Sequence, residues 1–135
     1  MSVSDELKAK REALILAHLD GETRMDPDAV LVTLTEDAVY ELPAIDRTYR
    51  GHEAIRGFLE VVFAATAGTV HRAQRIHHAD DVVIVETLSE IPGLDAPVPG
   101  VAVFPFEGDR ALGERLYADY SPLLSYLDKI GEPSD

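Results

Sequence analysis

The last strand-like segment of the chain carries side chains that could move protons. In residues 112–120, Leu-Gly-Glu-Arg-Leu-Tyr-Ala-Asp-Tyr, alternation by two predicts that Arg115, Tyr117 and Asp119 share one face. That face either meets water or lines a cavity, where a carboxylate can act as a general base. We interpret Asp119 as the candidate base, Tyr117 as a hydrogen-bond donor to a developing oxyanion, and Arg115 as a binding residue or an ion-pair partner.

Four further residues could complete a pocket. Tyr40 and Leu42 share a face of residues 37–43, a short strand-like segment that Pro43 stops. We expect the Tyr40 hydroxyl to orient a ligand and Leu42 to contact it. Phe58 lies on the apolar stripe of a helical segment, and His71 lies on a later strand, where it is either a pocket acid/base or a hydrogen-bonded sheet residue.

The five histidines do not predict a metal site. His77 and His78 are adjacent on a strand and point to opposite faces, and His71 shares a face with His77 but lies roughly 20 Å away at ~3.3 Å per residue. Residues 52–56, His-Glu-Ala-Ile-Arg, lack the second histidine of the zinc motif. His18 falls on the apolar stripe of a helix and is interpreted as a hydrogen-bonded core residue. We therefore predict no metal and no cofactor.

The elements that must position these residues follow from periodicity. Apolar spacing predicts helices over 4–20, 27–36 and 52–65, with Ser4 and Asp26 as the N-caps of the first two. A short strand is predicted over 37–43. After Gly68 the period changes to two and predicts strands over 69–78, 82–91, 101–106 and 112–120, followed by a short helix over 123–130. This order predicts a single α+β domain over 1–135, in which three N-terminal helices pack on the concave face of a cone-shaped, curved, mostly antiparallel sheet.

The charge composition limits the classes of molecule that the protein is expected to bind. Twelve basic and 25 acidic residues give a net charge of −13, which disfavours nucleic acid and anionic membranes. The charged start lacks the apolar core of a signal peptide, so we expect a cytoplasmic protein. A small, largely apolar ligand remains compatible with this charge.

Three segments carry a family resemblance. They are residues 35–43 (Thr-Glu-Asp-Ala-Val-Tyr-Glu-Leu-Pro), 49–58 (Tyr-Arg-Gly-His-Glu-Ala-Ile-Arg-Gly-Phe), and 107–110 (Glu-Gly-Asp-Arg) leading into 114–119 (Glu-Arg-Leu-Tyr-Ala-Asp). In this order they resemble the SnoaL-like polyketide cyclase group of the nuclear transport factor 2-like superfamily. The resemblance implies the cone-shaped fold, and it covers most of the chain.

The resemblance also implies roles for single residues. Asp119 is similar to the last-strand aspartate that acts as acid/base in the cyclases, and Tyr40 resembles the tyrosine that helps hold water in limonene epoxide hydrolases. Thr87 and Ser89 stand where those hydrolases carry an Arg-x-Asp pair, and Leu42 stands where ketosteroid isomerases carry their base. The cyclases' histidine on the preceding strand has no match around residues 101–106.

Several functions remain open at this point. The first is cofactor-independent acid/base chemistry of the cyclase or isomerase type, with Asp119 as base and Tyr117 and Tyr40 assisting. The second is a catalytically silent ligand-binding or dimerisation domain, and a further alternative is an epoxide hydrolase of the limonene type. We also expect a homodimer, because four long strands offer more apolar surface than short helices can cover.

Overall fold

The computed structural model describes residues 3–119. The predicted helix over 123–130 and the predicted end of the last strand at Tyr120 lie outside the described residues.

Three α-helices are present in this part of the chain: α1 (Asp5–Thr23), α2 (Pro27–Leu31) and α3 (Gly51–Ala65). The two predicted N-caps are confirmed, because the Ser4 hydroxyl accepts from the backbone N–H of Leu7 and the Asp26 carboxylate accepts from that of Ala29. α2 is shorter than predicted, since the chain is already extended at Leu34. Its first position is Pro27, which suits the start of a helix.

Six strands form one open sheet: β1 (Leu34–Leu42), β2 (Arg47–Arg50), β3 (Val70–His78), β4 (Val82–Glu90), β5 (Val98–Glu107) and β6 (Arg110–Tyr117). The order across the sheet is β2-β1-β6-β5-β4-β3, and every pairing is antiparallel except that of β1 with β6. The protein is therefore α+β with a mostly antiparallel sheet, as predicted. β2 was not predicted, because four residues are too short to show alternation.

The core lies between the helices and one face of the sheet. α1 packs against β3, and α3 packs against β1 and β2. Burial of apolar side chains from both layers stabilises this arrangement. The residues at its centre, all with at most 1% of their surface exposed, include Ile15, Ile55, Leu59, Val83, Val85 and Phe104.

A register shift in β3 separates two of its histidines. The pairing of β3 with β4 changes between Ala73 and Arg75, so one residue is left over and the alternation reverses. As a result His71 faces the helices, whereas His77 pairs with Glu86 on the solvent side. The expectation that His71 and His77 share a face is therefore wrong.

A second irregularity changes the faces of β6. The pairing of β6 with β1 shifts between Leu34 and Val39, and the shift ends at Gly113, where φ is 147°. A Cβ atom on Gly113 would lie 2.0 Å from the Val39 carbonyl oxygen, so only glycine fits. Beyond this point Glu114 and Leu116 face the helices. Leu112, which strict alternation would place on the same face as Leu116, is instead exposed.

Candidate functional site

A cavity of about 320 Å³ lies between the helices and β3–β6. Most of its wall is apolar, with side chains from α1, α3, the 91–94 loop and the sheet. Its apolar lining includes Leu19, Phe58, Leu59, Val62, Phe63, Ile91, Leu94, Val98 and Leu116. Such a wall suits a small, largely apolar molecule, and the few polar groups would fix its orientation.

The polar end of the cavity is organised by His18, which α1 holds almost wholly buried. Its Nδ1 lies 2.8 Å from the Thr33 hydroxyl, and that hydroxyl lies 2.6 Å from the Val30 carbonyl oxygen. The hydroxyl has one hydrogen and must donate it to the carbonyl, so it accepts from Nδ1–H. The Nδ1 atom of His18 is therefore protonated, and Nε2 is the nitrogen that faces the cavity groups.

Three groups surround His18 Nε2. The Tyr40 hydroxyl is 2.8 Å away, the Glu114 Oε1 atom is 3.1 Å away, and the Glu22 Oε1 atom is 3.9 Å away. Glu22 follows His18 by four residues, so both lie on one face of α1. Glu22 and Glu114 also line the cavity. We call His18, Glu22 and Glu114 the floor cluster.

The protonation of the floor cluster follows from burial and mutual attraction. Burial raises the pKa of Glu22 to about 8, and the positive charge of His18 only partly opposes this effect. Burial disfavours the charged form of His18, but the carboxyl groups of Glu22 and Glu114 outweigh it and raise the pKa of His18. Near neutral pH these shifts favour a charged His18, hydrogen-bonded to Glu114, and a neutral Glu22.

His71 lies on the cavity wall, and its pKa is shifted in the opposite direction to that of His18. Its Nδ1 is 2.9 Å from the Ser89 hydroxyl. Burial lowers the pKa of His71, and the charge of His18 adds to this, although Glu114 opposes it. His71 is therefore a neutral hydrogen-bonding group on the wall.

The predicted site residues divide into two groups. Phe58, His71, Tyr117 and Asp119 line the cavity, but Tyr117 and Asp119 are exposed and form its rim. Tyr40 and Leu42 are wholly buried and are not on the cavity wall. This face of β1 packs into the core, where the Tyr40 hydroxyl contacts His18, so neither side chain reaches the cavity as expected, and their roles toward a ligand stay predictions.

Arg115 also lies off the cavity wall, so its role as a binding residue is not supported, and its alternative role as an ion-pair partner stays a prediction. The irregularity at Gly113 turns Glu114 and Leu116 inward, so Arg115 falls on the opposite side of β6. Strict alternation had assigned the face of Arg115 to the pocket. The acid on the inner face is Glu114, which the sequence analysis did not single out.

Two signals could have pointed to the floor cluster. His18 and Glu22 are four residues apart on one helix, a spacing that brings side chains together. Gly113 next to Glu114 marks a position where strand alternation breaks.

The floor cluster also has the geometry of a possible metal site, because the nitrogen and oxygen atoms of His18, Glu22 and Glu114 that could bind an ion lie within 4.8 Å of one another. Bonds to Thr33, Tyr40 and within the cluster account for His18, so we assign no metal there.

Comparison with known proteins identifies the class. The SnoaL-like domain model matches residues 15–113, which is most of the chain. The protein therefore belongs to the SnoaL-like domain family, within the nuclear transport factor 2-like superfamily. No curated protein matches it.

Several solved structures have a fold similar to that of this chain. TerC, co-crystallised with polyporic acid, has a TM-score of 0.73 at 20% identity, over 88% of this chain and 98% of its own. A Shewanella putrefaciens protein proposed to be a SnoaL-like polyketide cyclase has a TM-score of 0.71 at 17% identity, over 96% and 95%. A Catenulispora acidiphila protein of ketosteroid isomerase-like fold, in complex with trimethylamine, has a TM-score of 0.70 at 23% identity, over 84% and 90%. At these identities the likeness concerns the fold.

Within residues 3–119, none of the helices combines the length and apolar character needed to span a bilayer.

Proposed function

We propose that the protein binds a small, largely apolar molecule in the cavity and transfers a proton at a carbon next to a carbonyl group. In this proposal the curved sheet and the helices on its concave face form a cone around the ligand. The observation that carries the proposal is the floor cluster, since the carboxyl groups of Glu22 and Glu114 line a largely apolar cavity and His18 behind them bonds to Glu114. Enclosed acids of this kind are suited to general acid–base chemistry.

The general base is one of the carboxylates that line the cavity. Asp119 was the candidate from sequence, but its side chain is exposed at the rim, where water competes for it. Glu114 is buried, and its hydrogen bond to His18 fixes its orientation. We therefore propose Glu114 as the base, and the proposal for Asp119 stands as the alternative that the same assay decides. Tyr117, beside Asp119, would donate a hydrogen bond at the rim.

Tyr40 is proposed as a positioning residue. Its hydroxyl lies 2.8 Å from His18 Nε2, and His18 in turn contacts Glu114. Tyr40→Phe removes this hydroxyl without touching the cavity wall. We expect it to shift the pH profile of turnover, which a residue that only fills the core would leave in place.

The experiment compares the turnover and ligand affinity of wild type with those of two acid variants. Wild type, Glu114→Gln and Asp119→Asn are assayed on a panel of small polyketide, terpenoid and steroid ketones. The variant that removes the base should lose about 10²-fold in kcat, with a much smaller change in affinity. Glu86→Gln is the matched control, since Glu86 lies on the same sheet but pairs with His77 and Arg75 outside the cavity.

The other outcomes are equally definite. Loss only in Asp119→Asn would move the base to the rim and retain the proposed reaction. Ligand binding without turnover in wild type would identify a silent binding domain. Full activity in both acid variants would refute acid/base catalysis by these carboxylates.

A further inference from the structure

We propose that Glu22 donates a hydrogen bond to an oxygen atom of the ligand, so that the cavity selects apolar molecules bearing a carbonyl group at the floor. This inference deepens the proposed function and rests on it, because it names the chemical class that the same cavity accepts. It also assigns different roles to the two carboxyl groups of the floor cluster.

Glu22 is the one member of the floor cluster without a close hydrogen bond. Its side chain is 14% exposed and lines the cavity from the last turn of α1. Among the residues that the structure describes, its nearest polar partner is His18 Nε2, at 3.9 Å, which is beyond hydrogen-bond length. A carboxyl group that is largely removed from water and makes no hydrogen bond is costly, and a ligand atom in the cavity would relieve that cost.

The surroundings of Glu22 favour its neutral form, which can donate. His18 on the same helix bonds to Glu114 of β6 at 3.1 Å, so the positive charge is already engaged. The Glu114 carboxyl group lies within 4.8 Å, and its proximity disfavours a negative charge on Glu22. His71 of β3 is neutral on the wall, and no lysine or arginine is among the described lining residues. The raised pKa of Glu22 agrees with this arrangement.

The two carboxyl groups can act on one ketone. The α-carbon and the oxygen of a ketone are about 2.4 Å apart, and the nearest carboxyl oxygens of Glu22 and Glu114 are no more than 4.8 Å apart. Glu114 removes the proton as the α C–H bond breaks, and that electron pair forms the C=C bond. The carbonyl π pair moves to oxygen, which takes the proton of Glu22. The products are the enol, a protonated Glu114 and an ionised Glu22.

The test uses three probes of one shape: 2-acetylnaphthalene, 2-ethylnaphthalene and 1-(2-naphthyl)ethylamine. Their dissociation constants are measured between pH 6 and pH 9.5 on wild type, Glu22→Gln and Glu6→Gln, the last being an exposed position on the same helix. At pH 6 we expect wild type to bind the ketone about tenfold more tightly than the hydrocarbon, as one hydrogen bond allows. The preference should vanish as the pH rises above about 8, the pKa of Glu22.

The variants separate donation from packing. Glu22→Gln keeps an N–H donor and cannot ionise, so it should retain the ketone preference at every pH. Glu6→Gln should behave as wild type. Carbon-13 spectra of the labelled glutamate carboxyl groups provide a readout without ligand, in which the signal absent from Glu22→Gln should titrate far above the usual range.

Four results would overturn the inference. Equal binding of the ketone and the hydrocarbon at pH 6 would refute donation by Glu22 while leaving the apolar pocket intact. Tighter binding of the amine as the pH rises would show that Glu22 acts as an anion for cationic ligands. A Glu22 signal that titrates near pH 4.5 would refute the neutral form. Binding of none of the probes would refute the proposed pocket function together with it.

Discussion

His18 and Glu114 meet 3.1 Å apart although 96 residues separate them in the chain. Both are about 99% buried, and they join the first helix to the last described strand. Because both partners are removed from water, neither can be replaced alone without leaving the other uncompensated.

The first prediction concerns this pair. Glu114→Ala should lower the free energy of unfolding by about 3–5 kcal/mol, since it leaves a buried His18 without its carboxylate. Glu86→Ala removes an exposed ion pair on the same sheet and should lower the free energy of unfolding far less. Urea denaturation of both variants measures the difference. Equal losses would show that the buried pair adds nothing beyond an exposed one.

The second prediction concerns pH. The pKa of Glu22 is about 8 in the folded protein against 4.5 for the free side chain, so the folded state binds this proton more tightly. The resulting stability is present at low pH and is lost as the pH rises from 4.5 through 8; the raised pKa of His18 acts in the same direction above 6.5. The free energy of unfolding should therefore fall between pH 6.5 and pH 8, by up to ~1.4 kcal/mol per pH unit from Glu22.

Glu22→Gln provides the comparison for this pH dependence. The amide cannot ionise, so the variant should show a flatter curve over the same range. Urea titrations at pH 6.5, 7.5 and 8.5 on both proteins give the slopes. Parallel curves would mean that Glu22 does not cause the loss.

The third prediction concerns Arg11, which is 2% exposed on α1. Its guanidinium donates to the backbone carbonyl oxygens of Gly108, Ala79 and Asp80 and lies over the Phe106 ring. It thereby joins the turns of two hairpins to the helix. Arg11→Met preserves the aliphatic stem but leaves those carbonyls without donors, and should lower the melting temperature by several degrees.

The matched control for Arg11 is Arg24→Met, at an exposed position where Arg24 pairs with Asp20. That variant should change the melting temperature by about a degree or less. Thermal unfolding followed by circular dichroism compares the two. A similar small shift in both would contradict the role given to Arg11.

The fourth prediction concerns Gly113. A Cβ atom there would meet the Val39 carbonyl at 2.0 Å, so Gly113→Ala must push β1 and β6 apart and should cost several kcal/mol. Gly57→Ala is the opposite case, because Gly57 lies inside α3 with open space around it. That change should stabilise the protein by about 0.5–1 kcal/mol. Denaturant midpoints distinguish them, and a tolerated Gly113→Ala would contradict the close approach.

The fifth prediction concerns assembly. The sheet face away from the helices carries partly exposed apolar side chains, among them Ile84, Leu88 and Val103. We predict a two-fold homodimer through this face. Sedimentation at micromolar concentration should give a dimer for wild type and a monomer for Ile84→Glu. A wild-type monomer would refute the prediction.

Periodicity and capping residues predicted the fold well, because long elements with strong apolar patterns leave few alternatives. The stripe of α3 and the caps at Ser4 and Asp26 are examples. β2 was missed because its four residues form a strand only through pairing with β1. Short elements are decided by tertiary contacts rather than by local sequence.

The site was harder to predict than the fold because face assignments depend on register. A single irregularity at Gly113 exchanged Arg115 for Glu114 on the inner side of β6, and another in β3 separated His71 from His77. Each shift exchanges the faces of the side chains next to it in the strand. His18 was interpreted correctly as a hydrogen-bonded buried residue, but its partners come from distant elements that spacing cannot reveal.

The position of β6 has a consequence for synthesis on the ribosome. The last described strand is central in the sheet, between β1 and β5. A nascent chain that has emerged only as far as β5 therefore exposes two unpaired strand edges, and its His18 has no Glu114. Contacts between distant segments form late and slowly. Such a chain is vulnerable to association with its neighbours until β6 has been synthesised, and the high negative charge of the protein gives these intermediates mutual repulsion during that interval.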